Sequence, residues 1–311
     1  MDNVTWVDAE NMSVENTVTH KLIRLIRKAE AVSQLTHGMR VALKVNTAEE
    51  GYEYGLRPGF FKVFADVVGS ATEKRPVVCD GHKLVDYWKQ SKGNAFLTAA
   101  SARGYSNYTL AGHFVINGGF SGDEGELFPC GSPDSEIGGV EIGTAVCRSD
   151  ALWVLSHVTL HPLFGLSGAL LNGGFECLTA RARTRLLRGI NPYIFNGLNP
   201  TSPNTRMFRQ LALESCLGVK AALEGHIFYV NYLWDITPQP EYYPYSAKPV
   251  IENIGFMASD DPVALDAASF ALLEERIANC QAMAEIDFKS ILEKAEDLGI
   301  GSMQYKTISL S

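Results

Sequence analysis

Four short apolar segments, each ending on a polar residue, constrain this chain more than any other feature. They are MRVALKVN at 39–46, PVVCD at 76–80, HFVIN at 113–117 and ALWVLSH at 151–157. Each is short, rich in β-branched or aromatic residues, and stopped by a turn-forming neighbour, the pattern of buried strands. Helical periodicity lies between them. In 18–33, Leu22, Ile23, Leu25, Ile26 and Val32 alternate with Lys21, Arg24, Arg27 and Lys28. Arg57-Pro58 opens a second helix carrying Phe60, Phe61, Val63, Phe64, Val67 and Val68, and a third spans 94–103. Further on, 207–224 reads as a helix and 226–236 as a strand. Asp261-Pro262 then starts a helix running to about residue 279.

Strand alternating with helix predicts an α/β fold, with a mixed, mostly parallel sheet covered by helices on both faces. We read the chain as one unit over 1–311, arranged as an N-terminal lobe, 1–150, and a C-terminal lobe, 151–311, around a shared cleft. In such sheets ligands sit beyond the carboxyl ends of the strands. The residues at those ends are Lys44, Asn46, Asp80, Asn117, Ser156 and His157.

Composition removes several classes of function. A net charge of −8 gives no basic surface for nucleic acid or an anionic membrane. No run reaches the roughly 18 apolar residues of a membrane span. The N-terminal stretch MDNVTWVDAENMSVEN is polar and acidic, unlike a secretory leader, so the expected location is cytoplasmic. The six cysteines are scattered without a CxxC, as expected of reduced, mostly buried thiols. GxxxxGK[ST], HExxH, GxSxG and GxGxxG are all absent, which withdraws support from phosphate-loop, zincin, α/β-hydrolase and dinucleotide chemistry.

The remaining candidates each have two readings. His157 and His161 stand four residues apart, a metal-holding spacing on a helix, yet Pro162 and the preceding strand favour a turn with backbone-bonded imidazoles. Glycines 165, 168, 173 and 174 around Asn172 fit either an anion-binding backbone nest or close packing. Arg181, Arg183, Arg185 and Arg188 fit an anionic substrate or a solvated face. Asp261 is explained by helix capping. Asp266, an acid one turn inside the apolar VALDAAS, points to a polar partner or a site. Tyr242, Tyr243 and Tyr245 in a proline-rich loop fit a pocket wall or the contact of a homo-oligomer.

Together, VALKVN with GYEYGLRPGF, VVCDG and GYSNYTLAGHFVINGGFSG resemble the opening of the domain-of-unknown-function 362 (DUF362) family, members of which are labelled iron–sulfur centre proteins. SHVTLH at 156–161 and GLSGALLNGGFEC at 165–177 resemble the family's SH-x-K-GH and GFGGA-x-KN-x-GMGC. YVNYLWDITP at 229–238 and IGFMASDDPVALD at 254–266 resemble its closing motifs. The resemblance covers about 40–275.

It implies a site built from His157, His161, Lys44 and Asp266 as acid–base groups. Asn46, Asp80, Gly165, Gly168, Asn172, Arg181, Asp235 and Asp261 would contact substrate, and Cys177 joins the two histidines as a candidate metal ligand. The departures matter as much. The cysteine-rich ferredoxin-like insert of many members is replaced by NPTSPNTR, so no resident [4Fe-4S] cluster is expected. The family's CDC becomes Pro240-Glu241-Tyr242, and two of its lysines become Thr159 and Leu171. The expectation is an enzyme of a specialised biosynthetic or metabolic pathway, acting on a small carboxylate- or phosphate-bearing molecule. Two alternatives stay open: a metal- or cluster-dependent oxidoreductase, and a non-catalytic partner of a cluster-bearing paralogue.

Overall fold

Buried parallel strands carry apolar side chains on both faces, because helices cover both. VALK, VVCDG, ALWVLSH and IFYVNYL meet that requirement, and two apolar cores result, one on each side of a single sheet. The computed structural model describes residues 2–84, 89–131, 135, 137–187, 190, 199–277 and 286–310. β1 (Asp2–Asp8) leads to α1 (Val18–Lys28), β2 (Val41–Lys44), α2 (Pro58–Thr72), β3 (Val77–Gly81), α3 (Gly93–Ala102) and β4 (His113–Asn117). A hairpin of β5 (Gly125–Pro129) and β6 (Gly139–Gly143) and the single turn α4 (Thr144–Cys147) follow. β7 (Ala151–His157) runs into a two-residue ladder of β8 (Leu160–His161) and β9 (Gly165–Leu166), then α5 (Ala169–Gly173) and α6 (Ala180–Leu187). The described elements end with α7 (Pro203–Ala222), β10 (Ile227–Leu233), β11 (Gly255–Ser259), α8 (Pro262–Ile277), α9 (Phe288–Asp297) and β12 (Tyr305–Leu310).

Eight strands form one sheet in the order β12-β1-β11-β10-β7-β2-β3-β4. β11 runs antiparallel to both neighbours and every other adjacent pair is parallel, so the sheet is mixed and mostly parallel. β1, from the first half of the chain, lies between β12 and β11 from the second, so strands from both halves interleave. α1 and α2 pack on the face carrying Leu43, Val78, Trp153, Val230 and Phe256. α5, α7 and α8 pack on the face carrying Ala42, Cys79, Val154, Tyr229 and Met257. No helix among the described residues is long and apolar enough to cross a membrane.

Some elements depart from the sequence reading. The acidic N-terminal stretch forms β1, inserted between β11 and β12. Val4 and Val7 are fully buried on opposite faces, one in each core, but Asp2, Asn3 and Asp8 hide the strand in composition. The segment holding His157 and His161, in keeping with the favoured turn reading, is the end of a strand and a tight ladder, so the two imidazoles share no helical face. Arg188, Cys280 and most of the linker before α7 lie outside the described residues.

Candidate active site

Parallel order places the carboxyl ends of β2, β3 and β7 side by side, and the register sets Lys44 beside Cys79 and Val154. From β2 the chain continues through Asn46 and Thr47; from β3 it ends on Asp80 and Gly81 and turns into His82 and Lys83. Asp80, fully buried, is the hub. Its Oδ1 accepts from Lys44 Nζ at 3.0 Å and from the Gly81 N–H at 2.8 Å. Its Oδ2 accepts from the Thr47 N–H and hydroxyl, both at 2.8 Å, and from Lys83 Nζ at 2.9 Å. Burial alone would raise this carboxyl's pKa, but Lys44, Lys83 and the Thr47 N–H hold it well below the ordinary range. For Lys44, burial opposes the charge, yet Asp80 and then Glu176 outweigh it and its pKa is raised. Asp80 is therefore a carboxylate and Lys44 an ammonium at neutral pH.

Beside this hub, Asn46 Nδ2 donates to Asn172 Oδ1 at 2.9 Å, which joins the end of β2 to α5. Asn172 Nδ2 donates to the Gly168 carbonyl at 2.9 Å, and the Cys177 thiol donates to the Asn172 carbonyl at 3.2 Å. Burial, opposed by Lys44, pushes the Cys177 thiol up to about 12, so it is a protonated thiol rather than a nucleophile. Arg183, buried, donates to Glu176 Oε2 at 2.9 Å and to the His82 carbonyl at 2.5 Å.

The other sequence candidates hold the frame. His157 Nε2 lies 2.6 Å from the Trp234 carbonyl and Nδ1 lies 2.9 Å from Glu241 Oε1. Burial would lower this imidazole's pKa, but Glu241 outweighs it and the value is raised. The buried ion pair clamps the segment after β10 onto the end of β7. His161 Nδ1 accepts from the N–H groups of Leu163 at 3.2 Å and Phe164 at 3.0 Å, and Nε2 lies 3.1 Å from the Tyr242 hydroxyl. Burial and then Arg209 bring its pKa down to about 3, so it is neutral.

Asp266 reaches across from α8 to cap α5, accepting from the N–H groups of Ala169 at 2.7 Å and Leu170 at 2.9 Å. Asn231 Nδ2 also donates to it at 2.7 Å. Burial raises its pKa to about 6 against these hydrogen bonds. Gly168 is glycine because a Cβ there would lie 2.3 Å from Asp266 Oδ1; Gly165 makes the β8–β9 turn at φ +92°. Asp261 caps α8 through the N–H groups of Val263 and Ala264 and also accepts from Ser302 N–H. Asp235, at φ +48°, lines a separate cleft of about 400 Å³ with Trp234, Phe60 and Arg57. Arg181 is half-exposed and pairs with Glu141 at 2.6 Å.

The structure thus brings Lys44, Asn46, Asp80, Asn172 and Cys177 together and distributes the rest around them. Sequence reading missed Thr47, His82 and Lys83. Their signal is position alone: they lie within three residues of the ends of β2 and β3.

An iron–sulfur cluster, which the family resemblance raises, needs converging thiolates. Among the described residues no group of three or more His, Cys, Asp or Glu side chains converges on one point. Cys79, Cys177 and Cys216 are buried, each with its thiol pushed up by burial. The described residues therefore do not fit a cluster.

The sequence profile of a family described as Domain of unknown function (DUF362) matches residues 41–271. No curated protein sequence matches the chain. Among solved structures, the lactate racemase apoprotein from Thermoanaerobacterium thermosaccharolyticum is similar at 13% identity and a TM-score of 0.44, over 87% of this chain and 57% of that one. A protein from Thermotoga maritima is similar at 11% identity and a TM-score of 0.43, over 90% of this chain and 60% of that one. The chain thus spans less than two thirds of either protein's length. With the family profile covering strands β2 to β11 and the site between them, the chain belongs to the DUF362 family.

Proposed function

We propose that the protein is a cytoplasmic enzyme that binds a small carboxylate- or phosphate-bearing molecule at the carboxyl ends of β2 and β3. It would act on this molecule by acid–base chemistry without a resident iron–sulfur cluster. One observation carries this reading: two buried ammonium groups, Lys44 and Lys83, share the single carboxylate of Asp80. An ammonium has three N–H donors. Among the described residues, Lys44 uses two, on Asp80 and the Val45 carbonyl, and Lys83 uses one on Asp80. Arg183 and Glu176 balance each other alongside, and buried Glu49 is satisfied by the N–H groups of Glu50 and Gln90. The hub therefore keeps cationic donors in reserve where α/β sheets bind ligands, and a buried cation wants an anion.

Asp80 orients the two lysines and, already accepting five hydrogen bonds, is no base. His157 has Nε2 on the Trp234 carbonyl and Nδ1 in the ion pair with Glu241, and His161 has both ring nitrogens hydrogen-bonded. The acid–base work is accordingly assigned to the lysine end of the site. Thermal-shift screening against small carboxylates, phosphates, amines and neutral polyols tests the reading. Stabilisation by anions alone, lost in Lys83→Met, is the expected result; stabilisation by amines or polyols instead would refute it.

A further inference from the structure

A site that holds an anion on ammonium groups still needs a proton acceptor, and Asp80, His157 and His161 are all occupied. His82 is not. It follows Gly81 directly at the end of β3, is 3% exposed, and its Nε2 is buried with no hydrogen-bond partner among the described residues. Buried polar atoms are almost always paired, so a bare imidazole nitrogen calls for an occupant. The residue is held from three sides. Phe96 of α3 packs against it with centroids 5.8 Å apart. The turn at 121–122 lies on Nδ1, where a Cβ on Gly122 would come within 2.4 Å, and the Ser121 backbone hydrogen-bonds to the ring. Arg183 of α6 reaches the His82 carbonyl. The backbone at 121–122 crowds Nδ1, so Nε2 is the ring nitrogen left for a partner.

We infer that His82 is the proton-accepting residue of the anion site: a small anion held by Lys83 presents an acidic O–H, N–H or C–H bond to Nε2. The proton passes to Nε2, the bonding electron pair stays on the substrate atom, and the new negative charge faces Lys83. This rests on the anion-site reading above. The charged groups around the ring are Arg183, Asp123 and Lys83; burial first, then Arg183, keep the imidazole below its ordinary pKa and so neutral at pH 7.

The test is nitrogen NMR of histidine-labelled full-length protein, with His82 assigned by His82→Gln, or by Phe96→Leu should that variant not fold. Inorganic phosphate, which carries an O–H at pH 6.5, and sulfate, which does not, are the probes, and calorimetry reports whether each binds. The expected result is a non-protonated Nε2 at pH 7, protonating below pH 6.5, and displaced several-fold further by phosphate than by sulfate. A protonated Nε2 at pH 7, or anions that bind while leaving Nε2 unmoved, would overturn the role of His82 and leave the anion site standing. If neither anion binds, the site reading and this inference fall together.

Discussion

Replacing Asp80 by Asn removes the charge between two buried ammonium groups while keeping the side chain's shape. In the wild type one carboxylate accepts from Lys44, Lys83, Thr47 twice and Gly81. An amide offers one oxygen, and its NH2 group must face donors on the other side, where Lys44 Nζ sits at 3.0 Å. Breaking a buried pair by removing one partner costs roughly 3–5 kcal/mol, because the remaining charge is left unpaired. For 311 residues at about 2.1 cal/mol/K each, the unfolding entropy is about 0.65 kcal/mol/K, so Tm should fall by about 5–8 °C. Thermal unfolding at pH 7, followed by circular dichroism, measures this.

The pH dependence gives a second handle on the same variant. A carboxyl whose pKa is depressed in the folded state contributes stability above its unfolded pKa of about 3.9 and loses it as pH falls toward the folded value. The gap between wild type and Asp80→Asn should therefore be full at pH 7 and narrow below about pH 3.9. A Tm within about 1 °C of wild type at pH 7, or a gap that does not change on acidification, would refute the reasoning.

Three further outcomes follow from the same geometry. His157→Gln leaves the Glu241 carboxylate buried without its partner and should cost roughly 3–5 kcal/mol in denaturant unfolding. Because the His157 pKa is raised on folding, its contribution is complete below about pH 6.5 and is lost as pH rises through the folded value, so the gap to wild type should be wider at pH 6 than at pH 9. Gly168→Ala places a Cβ 2.3 Å from Asp266 Oδ1 and must displace the cap of α5, costing roughly 1–3 kcal/mol; an unchanged denaturation midpoint would contradict that packing. In native protein treated with iodoacetamide at pH 8, the half-buried Cys147 should be labelled before Cys177, as read by peptide mass spectrometry, and early labelling of Cys177 would show that its thiol is accessible.

The central strands were legible because they are buried on both faces and so read as continuous apolar runs: ALWVLSH matches β7 residue for residue, and HFVIN matches β4, an edge strand whose aromatic and β-branched run persists although part of it is exposed. β1 and β12 were not legible, since these strands near or at the sheet's edge carry Asp2, Asn3, Asp8, Lys306 and Ser309 on water-facing positions, and polar edges resemble loops. In the site, Lys44, Asn46 and Asp80 were found because a strand end can be read from sequence. Asp266 and Asp261 drew attention as acids and prove to cap α5 and α8, roles set by helix ends, one of them distant in sequence. The neighbours of Asp80 were missed because no periodicity marks a turn. The meeting of His157 with Glu241 depends on how a loop crosses the sheet, which local pattern does not encode.

The claim that the lysine pair holds an anion is tested most directly by calorimetric titration of the best-binding small anion into wild type, Lys83→Arg and Lys83→Met. Loss of one hydrogen bond from a charged donor, roughly 1.5–3 kcal/mol, predicts about 10- to 100-fold weaker binding in Lys83→Met, with Lys83→Arg retaining part of the affinity. Equal affinity in wild type and Lys83→Met would contradict it.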